Sequence, residues 1–295
     1  MEQSLLLFRE VCPVCHSPGS SEFLKCKDYT VSNEWFTIVC CDSCGFKFTN
    51  PVPAPEVIGK YYKSEEYISH SDTKKGLISR LYHLVRNFTL KSKLQLIGGR
   101  SEGMRLLDYG CGTGSFLEVC KNAGWLVTGM EPDEDAAKLA SRSGAIYPDL
   151  QTLKLRDQKY DVITLWHVLE HVSDLAETLS FFTEVLLPGG RLIIAVPNYR
   201  SYDAVSYGAH WAAYDVPRHL YHFDQTTLGT LLKSYGFVLD KVRPMLFDSF
   251  YVSLLSEKYL RGKSSYLRAF MTGLRSNIKA SRTGEYSSLI YIFTK

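Results

Sequence analysis

The sequence lacks the long apolar runs and the blocks of like charge that would assign a protein to a membrane or to nucleic acid. No stretch of 18 apolar residues occurs, and no five basic residues are consecutive. The formal net charge is only +3 over 295 residues, so no nucleic-acid partner is expected. The opening MEQSLLLFRE becomes charged too early for a secretion signal. We therefore predict a cytoplasmic protein with a folded core.

The same lack of a secretion signal makes disulfides unexpected, although the chain has eight cysteines. Four of them form two C-x-x-C pairs, Cys12 with Cys15 and Cys41 with Cys44. Two such pairs can close a tetrahedron of thiolates around Zn²⁺, and a filled site of this kind is structural. The loop between the pairs has 25 residues, and Cys40 could replace Cys41. We predict a small zinc-ribbon-like module over residues 1–55.

From Met104 onward, strand-like and helix-like segments alternate, which indicates an α/β fold with a doubly wound, mostly parallel sheet. Residues 56–100 are predicted to be a helical linker or lid, because apolar residues in 76–88 recur with the period of one helix face. Residues 101–295 form the main domain in this scheme. Its last two strands, GFVLDKVRP and SLIYIFTK, are separated by a helical insertion at about 250–280.

The stretch LLDYGCGTGSF, at residues 106–116, indicates a nucleotide-type cofactor. A strand that enters a helix through glycines lets backbone N–H groups approach a ligand. The spacing is G-x-G-x-G, whereas a nicotinamide or flavin site has G-x-G-x-x-G, and no Gly-Lys-Ser/Thr of a phosphate loop follows. Two acids remain to be explained: Asp108 before the turn and Glu131 after the next strand. They favour a ligand with an amino-acid tail and a ribose diol.

These motifs resemble the class I S-adenosylmethionine-dependent methyltransferases over roughly residues 100–240. The resemblance is carried by LLDYGCGTG, GMEPD, YDVITLWHVLEHV and LLPGGRLIIAVPN. It implies a Rossmann-like seven-stranded sheet with helices on both faces and S-adenosylmethionine over the carboxyl ends of the first strands. The implied cofactor-binding residues are Asp108, Gly110, Cys111, Gly112, Thr113, Gly114, Glu131, Pro132, Asp149 and Trp166. In this resemblance Glu131 accepts the ribose hydroxyls and Asp149 meets the adenine amino group.

Histidines near the expected methyl group are candidates for the catalytic base, since a hydroxyl or carbon acid must lose a proton during methyl transfer. We predict His167, His171 and His219, with His167 favoured because it follows the strand that faces the methyl group in this family. His171 could instead brace the helix start. The segment HWAAYDVPRHLYHF follows the fifth strand, where the family places its acceptor pocket. Trp211 and Tyr214 would be aromatic walls and Arg218 a cationic hook.

The acceptor is predicted to be a small molecule, with oxygen, carbon and nitrogen all open as the methylated atom. The N-terminal layout resembles the module attached to sugar C-methyltransferases, which points to a sugar, glycan or lipid precursor. Residues 258–282 carry seven Lys/Arg and no Asp/Glu. This segment is a solvated helix face or a cap for an anionic acceptor, such as a sugar nucleotide or lipid-linked glycan, and it leaves peripheral membrane contact open. The alternatives are an RNA or protein methyltransferase with the zinc module as reader, and an inactive cofactor-binding scaffold.

Overall fold

The structure is a computed structural model that describes residues 6–62 and 77–295, with the backbone alone over 77–84. The predicted helical segment around residue 80 is present, but its side chains before residue 85 lie outside the described part.

A seven-stranded sheet forms the centre of the molecule, as the sequence predicts. Its strands, in chain order, are β6 (Arg105–Tyr109), β7 (Leu126–Met130), β8 (Ala145–Tyr147), β9 (Tyr160–Trp166), β10 (Leu186–Pro197), β12 (Val238–Pro244) and β13 (Ser288–Thr294). The spatial order is β12-β13-β10-β9-β6-β7-β8. Strand β13 is antiparallel to both neighbours, whereas β10, β9, β6, β7 and β8 pair in parallel.

The central strands form because their residues are apolar on both faces, as a sheet covered by helices requires. Leu106 and Leu107 of β6 and Val162 and Ile163 of β9 are each 0% exposed. The parallel direction brings the carboxyl ends of β6, β7 and β9 to one edge of the sheet, where ligands of open α/β sheets bind. This edge carries the glycine turn and Glu131.

Helices cover the sheet and connect its strands. They are α1 (Pro55–Ile58), α2 (Leu77–Leu96), α3 (Ser115–Asn122), α4 (Glu134–Ala140), α5 (Leu150–Lys154), α6 (Leu175–Val185), α7 (Tyr202–Tyr207), α8 (Gln225–Ser234), α9 (Asp248–Arg261) and α10 (Tyr266–Thr283). Short 3₁₀ turns occur at Gly59–Tyr62, Leu169–His171, Gly208–His210 and Ala212–Tyr214. The predicted insertion is thus the helix pair α9 and α10, which lies between β12 and β13 in the chain.

A second sheet contains the cysteine-rich segment, with strands β2 (Ser20–Lys27), β3 (Trp35–Cys41), β4 (Lys47–Thr49) and β11 (Tyr221–His222) in the order β11-β4-β3-β2. A separate pair joins β1 (Leu6–Leu7) to β5 (Val52–Pro53). Strand β11 belongs to the main-domain segment but completes the N-terminal sheet. The domain boundaries at residues 55 and 100 stay a prediction. The second sheet contains strands from both sides of these boundaries.

Within the described ranges, no helix is long and apolar enough to cross a membrane.

Candidate functional site

The glycine turn lies at the carboxyl end of β6 and leads into α3. Its three glycines have positive φ values of 77° at Gly110, 54° at Gly112 and 79° at Gly114. A Cβ on Gly110 would lie 2.5 Å from Val168, and one on Gly114 would lie 2.6 Å from the Cα of Ala140. A Cβ on Gly112 would meet nothing within 4 Å. Two glycines therefore allow close packing, and Gly112 leaves open space beside its backbone for a ligand.

Glu131 connects the end of β7 to this turn. One carboxylate oxygen accepts a hydrogen bond of 2.8 Å from the N–H of Gly112, and the other accepts one of 3.0 Å from the N–H of Asp133. Burial raises the pKa of Glu131, and the two backbone N–H groups act in the opposite direction. The two backbone N–H groups thus fix the carboxylate beside the turn, and the resemblance assigns it to a ribose diol.

Asp108 lies beneath the turn rather than on its surface, since it is only 2% exposed. The hydroxyl of Thr164 donates to its Oδ1 at 2.6 Å. Burial raises the pKa of Asp108 to about 7, although Thr164 and Lys93 favour the charged form. The Nζ of Lys93 is 4.2 Å from the centre of the Trp166 ring, and burial lowers its pKa to about 8. Asp108 is therefore a buried group of the core under the turn, and Lys93 is a cation that favours its charged form.

The other predicted cofactor residues surround the turn or lie beyond it. Cys111 is buried, Thr113 and Pro132 are exposed, and Trp166 packs edge-on against Phe116, with its Nε1 buried and without a hydrogen-bond partner among the described residues. Asp149 is exposed and caps α5 by accepting from the N–H of Thr152 at 2.7 Å. This capping bond explains Asp149 without a ligand, and its adenine role stays a prediction.

The loop after β9 contains His167, whose backbone has a positive φ of 58°. Its Nε2 is 3.0 Å from Oδ2 of Asp248, and its Nδ1 is 3.4 Å from Oε1 of Glu170. Burial opposes a charge on this ring, but the two carboxylates outweigh it and raise the pKa of His167 to about 10. As placed, His167 is a hydrogen-bond donor at neutral pH, which does not suit a base. The predicted base role is untested.

His171 and His219 lie against each other, with ring centres 4.5 Å apart and ring planes at 84°. Burial and the neighbouring His219 lower the pKa of His171 to about 4. The two histidines are brought together by a backbone bond of 2.8 Å from the N–H of Leu220 to the carbonyl of Glu170. Sequence spacing alone could not show this contact, since 48 residues separate the rings.

The cationic hook expected from Arg218 is wrong, because the guanidinium is 2% exposed and fully engaged. It donates to both carboxylate oxygens of Asp215 at 2.5 and 3.0 Å, to Asp28 at 3.2 Å and to the carbonyl of Tyr61 at 2.8 Å. Trp211 and Tyr214 are also buried, at 2% and 4% exposed. This segment joins the N-terminal sheet to the main domain, and Trp211 and Tyr214 line a small cavity there, so their role as walls of an acceptor pocket stays a prediction.

The four predicted metal ligands converge. Cys12, Cys15, Cys41 and Cys44 have sulfur atoms within 4.8 Å of one another. The Sγ–Sγ distance is 3.7 Å for Cys12 with Cys44 and 3.6 Å for Cys15 with Cys41. Thiolates about 2.3 Å from one ion in a tetrahedron are about 3.8 Å apart. The alternative Cys40 points elsewhere, to the carbonyls of Cys41 and Gly45.

Each cysteine pair is held by the same local turn. The N–H of His16 donates to the carbonyl of Cys12, and the N–H of Gly45 donates to that of Cys41, both at 3.0 Å. His16 and Gly45 both have positive φ, at 58° and 72°. Gly45 indicates the second turn in the sequence. The first turn has His16 at positive φ, which no sequence motif predicts.

Sequence reasoning did not identify several residues around the site. Thr164, Asp248 and Lys93 contact predicted site residues from strand β9, helix α9 and helix α2, respectively. Glu170, which contacts His167, is a further residue that no sequence motif indicates. A polar Thr in the buried strand β9 is a detectable signal; the other contacts depend on tertiary packing.

Comparisons with known proteins agree with this geometry. A family model described as "Methyltransferase domain" matches residues 82–242. The ubiquinone biosynthesis O-methyltransferase of Bradyrhizobium sp. (strain ORS 278) is 30% identical over 125 residues, which cover 39% of this chain and 49% of that protein. The protein of that name from Saccharophagus degradans is 26% identical over 159 residues, covering 49% and 67%. The chain thus spans about half the length of the first curated relatives it matches.

Among solved structures, magnesium protoporphyrin IX methyltransferase from Synechocystis PCC 6803 with bound SAH superposes with a TM-score of 0.54. It is 16% identical, and the match covers 82% of this chain and 100% of that one. At this identity the likeness concerns the fold alone. Together with the family match over more than half of the sequence, it shows that the chain belongs to the methyltransferase-domain family and has the class I S-adenosylmethionine-dependent methyltransferase fold.

Proposed function

We propose that this protein transfers the methyl group of S-adenosylmethionine to an oxygen atom of a small-molecule acceptor. One observation carries the proposal: the backbone of Gly112 has open space beside it, and its N–H binds the carboxylate of Glu131 next to the turn. The name of the curated relatives, ubiquinone biosynthesis O-methyltransferase, favours oxygen among the three atoms that the sequence left open.

The residues of the turn would bind the donor through complementary groups. The carboxylate of Glu131 would accept hydrogen bonds from the ribose hydroxyls, and the open backbone at Gly112 would contact the amino-acid tail. Trp166 would form a wall of the site at the end of β9. The Nζ of Lys93 already lies 4.2 Å from the centre of its ring. S-adenosylmethionine supplies an activated methyl group bound to a sulfonium, so the protein must mainly align the acceptor and exclude water.

The acceptor would enter between the loop after β9 and the helical insertion. Asp248, at the start of α9, holds His167 at 3.0 Å, and Phe247 packs edge-on against Phe88 of α2 with ring centres 6.1 Å apart. The insertion and α2 therefore meet at this edge of the sheet. Such an arrangement limits access of water to a reacting methyl group.

The acceptor class that we propose is a sugar, glycan or lipid precursor with negative charge. Helix α10 supports this, because its exposed residues combine bulky apolar side chains with four of the seven basic residues of 258–282, namely Arg268, Arg275, Lys279 and Arg282. The exposed apolar side chains are Tyr266, Leu267, Phe270, Met271 and Ile278. A surface of this composition attracts anionic headgroups and covers their apolar attachments.

We also propose a structural Zn²⁺ ion at the four cysteines, because their spacing fits a tetrahedral site. All four positions would be protein thiolates, so this ion would have no open coordination position for chemistry. It would instead stabilise two turns in a segment with little core of its own.

The test is calorimetric titration of the protein with S-adenosylmethionine and S-adenosylhomocysteine, with NADH as the control. We expect both sulfur compounds to bind and NADH not to bind. A labelled methyl donor is then incubated with sugar nucleotides, lipid-linked glycans and hydroxylated aromatic compounds. Binding without transfer to any hydroxyl would contradict the enzyme proposal, and a failure of both sulfur compounds to bind would favour a scaffold.

A further inference from the structure

We propose that Glu170, His171 and His219 form a second metal site, which takes a divalent transition-metal ion and is distinct from the four cysteines. Each of the three residues offers one ligand atom, and these atoms lie within 4.8 Å of one another. Two residues come from the loop after β9 and the third from the segment before β11. The bond from the Leu220 N–H to the Glu170 carbonyl fixes the two segments together.

The strongest observation is the buried carboxylate of Glu170, whose two oxygens have no hydrogen-bond partner in the described part of the chain. The residue is 0% exposed, and both carboxylate oxygens are sealed from solvent without a bond of good geometry. Its Oε1 forms an ion pair with Nδ1 of His167, at 3.4 Å. A buried carboxylate is normally paired, hydrogen-bonded or bound to a metal. Oε1 of Glu170 therefore faces His167 without a hydrogen bond, and Oε2 is left for a partner that a metal ion would supply.

The two imidazoles are oriented as metal ligands usually are. Nδ1 of His219 is 2.9 Å from the carbonyl of Ala213, and Nδ1 of His171 is 3.1 Å from the carbonyl of Arg218. A carbonyl only accepts, which places the proton of His219 on Nδ1 and its lone pair on Nε2; Nδ1 of His171 lies 3.1 Å from the Arg218 carbonyl and also 3.1 Å from the hydroxyl of Tyr62, which can donate or accept. Metal-bound histidines characteristically donate their other N–H to a carbonyl or carboxylate in this way.

The ligand set determines the class of ion. Two neutral imidazoles with one carboxylate suit Zn²⁺, Co²⁺ or Fe²⁺ more than Mg²⁺ or Ca²⁺, which prefer oxygen ligands. Ligands about 2.1 Å from one ion are at most about 4.2 Å apart, so a small inward movement of the side chains would complete the site. Three protein ligands leave at least one position open.

The metal site adjoins the proposed donor turn through Val168. The side chain of Val168 would lie 2.5 Å from a Cβ added at Gly110. The next step rests on the proposed methyl transfer: the open coordination position of the metal ion would bind the hydroxyl of the acceptor. A metal-bound hydroxyl is more acidic than a free one. Metal binding itself does not depend on that role and can be measured without any acceptor.

The experiment is equilibrium dialysis of the full-length, zinc-loaded protein against Co²⁺, followed by metal analysis and visible absorption. We expect about one Co²⁺ per chain with d–d bands but without thiolate-to-cobalt charge transfer, in addition to the zinc of the four cysteines. Glu170→Gln and His219→Gln should weaken Co²⁺ binding at least about tenfold. His210→Gln is the control, because His210 lies outside the cluster.

Thermal unfolding separates a ligand role from a structural one. Co²⁺ should raise the midpoint of the wild-type protein and leave that of Glu170→Gln unchanged, each compared with its own midpoint in metal-free buffer. Cobalt absorption with thiolate character alone, or equal Co²⁺ binding by Glu170→Gln, would overturn the proposal. Loss of Co²⁺ binding with intact donor binding, or the reverse, distinguishes this inference from the proposed function.

Discussion

The hydroxyl of Thr164 donates a hydrogen bond of 2.6 Å to the carboxyl group of Asp108, and both side chains are buried in the core below the glycine turn. This contact joins strands β6 and β9 at the level where both strands end. An ionisable group in such a position connects the stability of the fold to pH.

The first prediction concerns the effect of Asp108 on the pH dependence of stability. Burial raises the pKa of Asp108 from 3.8 to about 7, so the folded protein holds this proton more tightly than the unfolded chain does. The contribution of Asp108 to the free energy of unfolding is therefore largest at low pH and is lost as pH rises toward about 7. Asp108→Asn removes this dependence, and its stability relative to wild type should increase by roughly 2–4 kcal/mol between about pH 4 and pH 8.

Urea denaturation at several pH values measures this difference. The exposed Asp240 offers a control, and Asp240→Asn should change stability little at any pH. A relative stability of Asp108→Asn that stays constant with pH would contradict the raised pKa.

The second prediction concerns Glu131. Glu131→Ala removes the acceptor of two backbone N–H groups and of the proposed ribose hydroxyls, so S-adenosylmethionine binding should weaken about 100-fold or more. The fold should survive with a loss of about 1–2 kcal/mol. Calorimetry and thermal unfolding are compared with those of Glu118→Ala, an exposed position on α3. Undiminished affinity would refute the ribose role.

The third prediction separates ligand contact from backbone strain at the glycine turn. Gly112→Ala and Gly236→Ala both place a Cβ at positive φ, with nothing within 4 Å. Both should cost about 1 kcal/mol of stability, but only Gly112→Ala should reduce donor affinity. Gly110→Ala, whose Cβ would lie 2.5 Å from Val168, should destabilise more than either. Equal donor affinity in the two matched variants would exclude a ligand at Gly112.

The fourth prediction concerns the cysteine site. Cys15→Ser should remove about one zinc ion per chain and lower the unfolding temperature, because the folding free energy of a small metal-bound segment depends on the ion. Cys40→Ser, one residue outside the ligand set, should retain the zinc. Metal analysis of reduced protein checks both variants; wild-type protein without zinc would disprove the site.

The fifth prediction concerns Arg218, which is predicted to act in stability rather than in acceptor binding. Arg218→Met leaves the carboxylates of Asp28 and Asp215 without their cation, and the cost should be about 3–5 kcal/mol. Arg200→Met removes a largely exposed cation, 55% accessible beside Asp224 and Glu285, and should cost at most about 1 kcal/mol. Denaturant unfolding of both variants measures the contrast. Similar costs would contradict the buried network.

Much of the fold could be predicted from the sequence because its cues are local. The apolar strands with intervening amphipathic helices identified the parallel sheet, and the C-x-x-C pairs identified the cysteines that converge. Strand β11 could not be predicted, because two residues, Tyr221 and His222, carry no periodicity and form a strand only by pairing with β4. Strand β2 could not be predicted either. Most of its residues are exposed, so the strand has no regular alternation of buried and exposed positions.

The sequence by itself determined the family, the glycine turn, the acid at Glu131 and the four cysteines, since each depends on residue types at fixed short spacings. Only the tertiary structure decided what the remaining polar residues do. It surrounded His167 with Asp248 and Glu170, engaged Arg218 in a buried network, and placed His171 against His219 beside the buried carboxylate of Glu170. The physical reason is that charge state and ligand geometry depend on neighbours within a few ångströms, which the chain brings from segments tens to hundreds of residues apart.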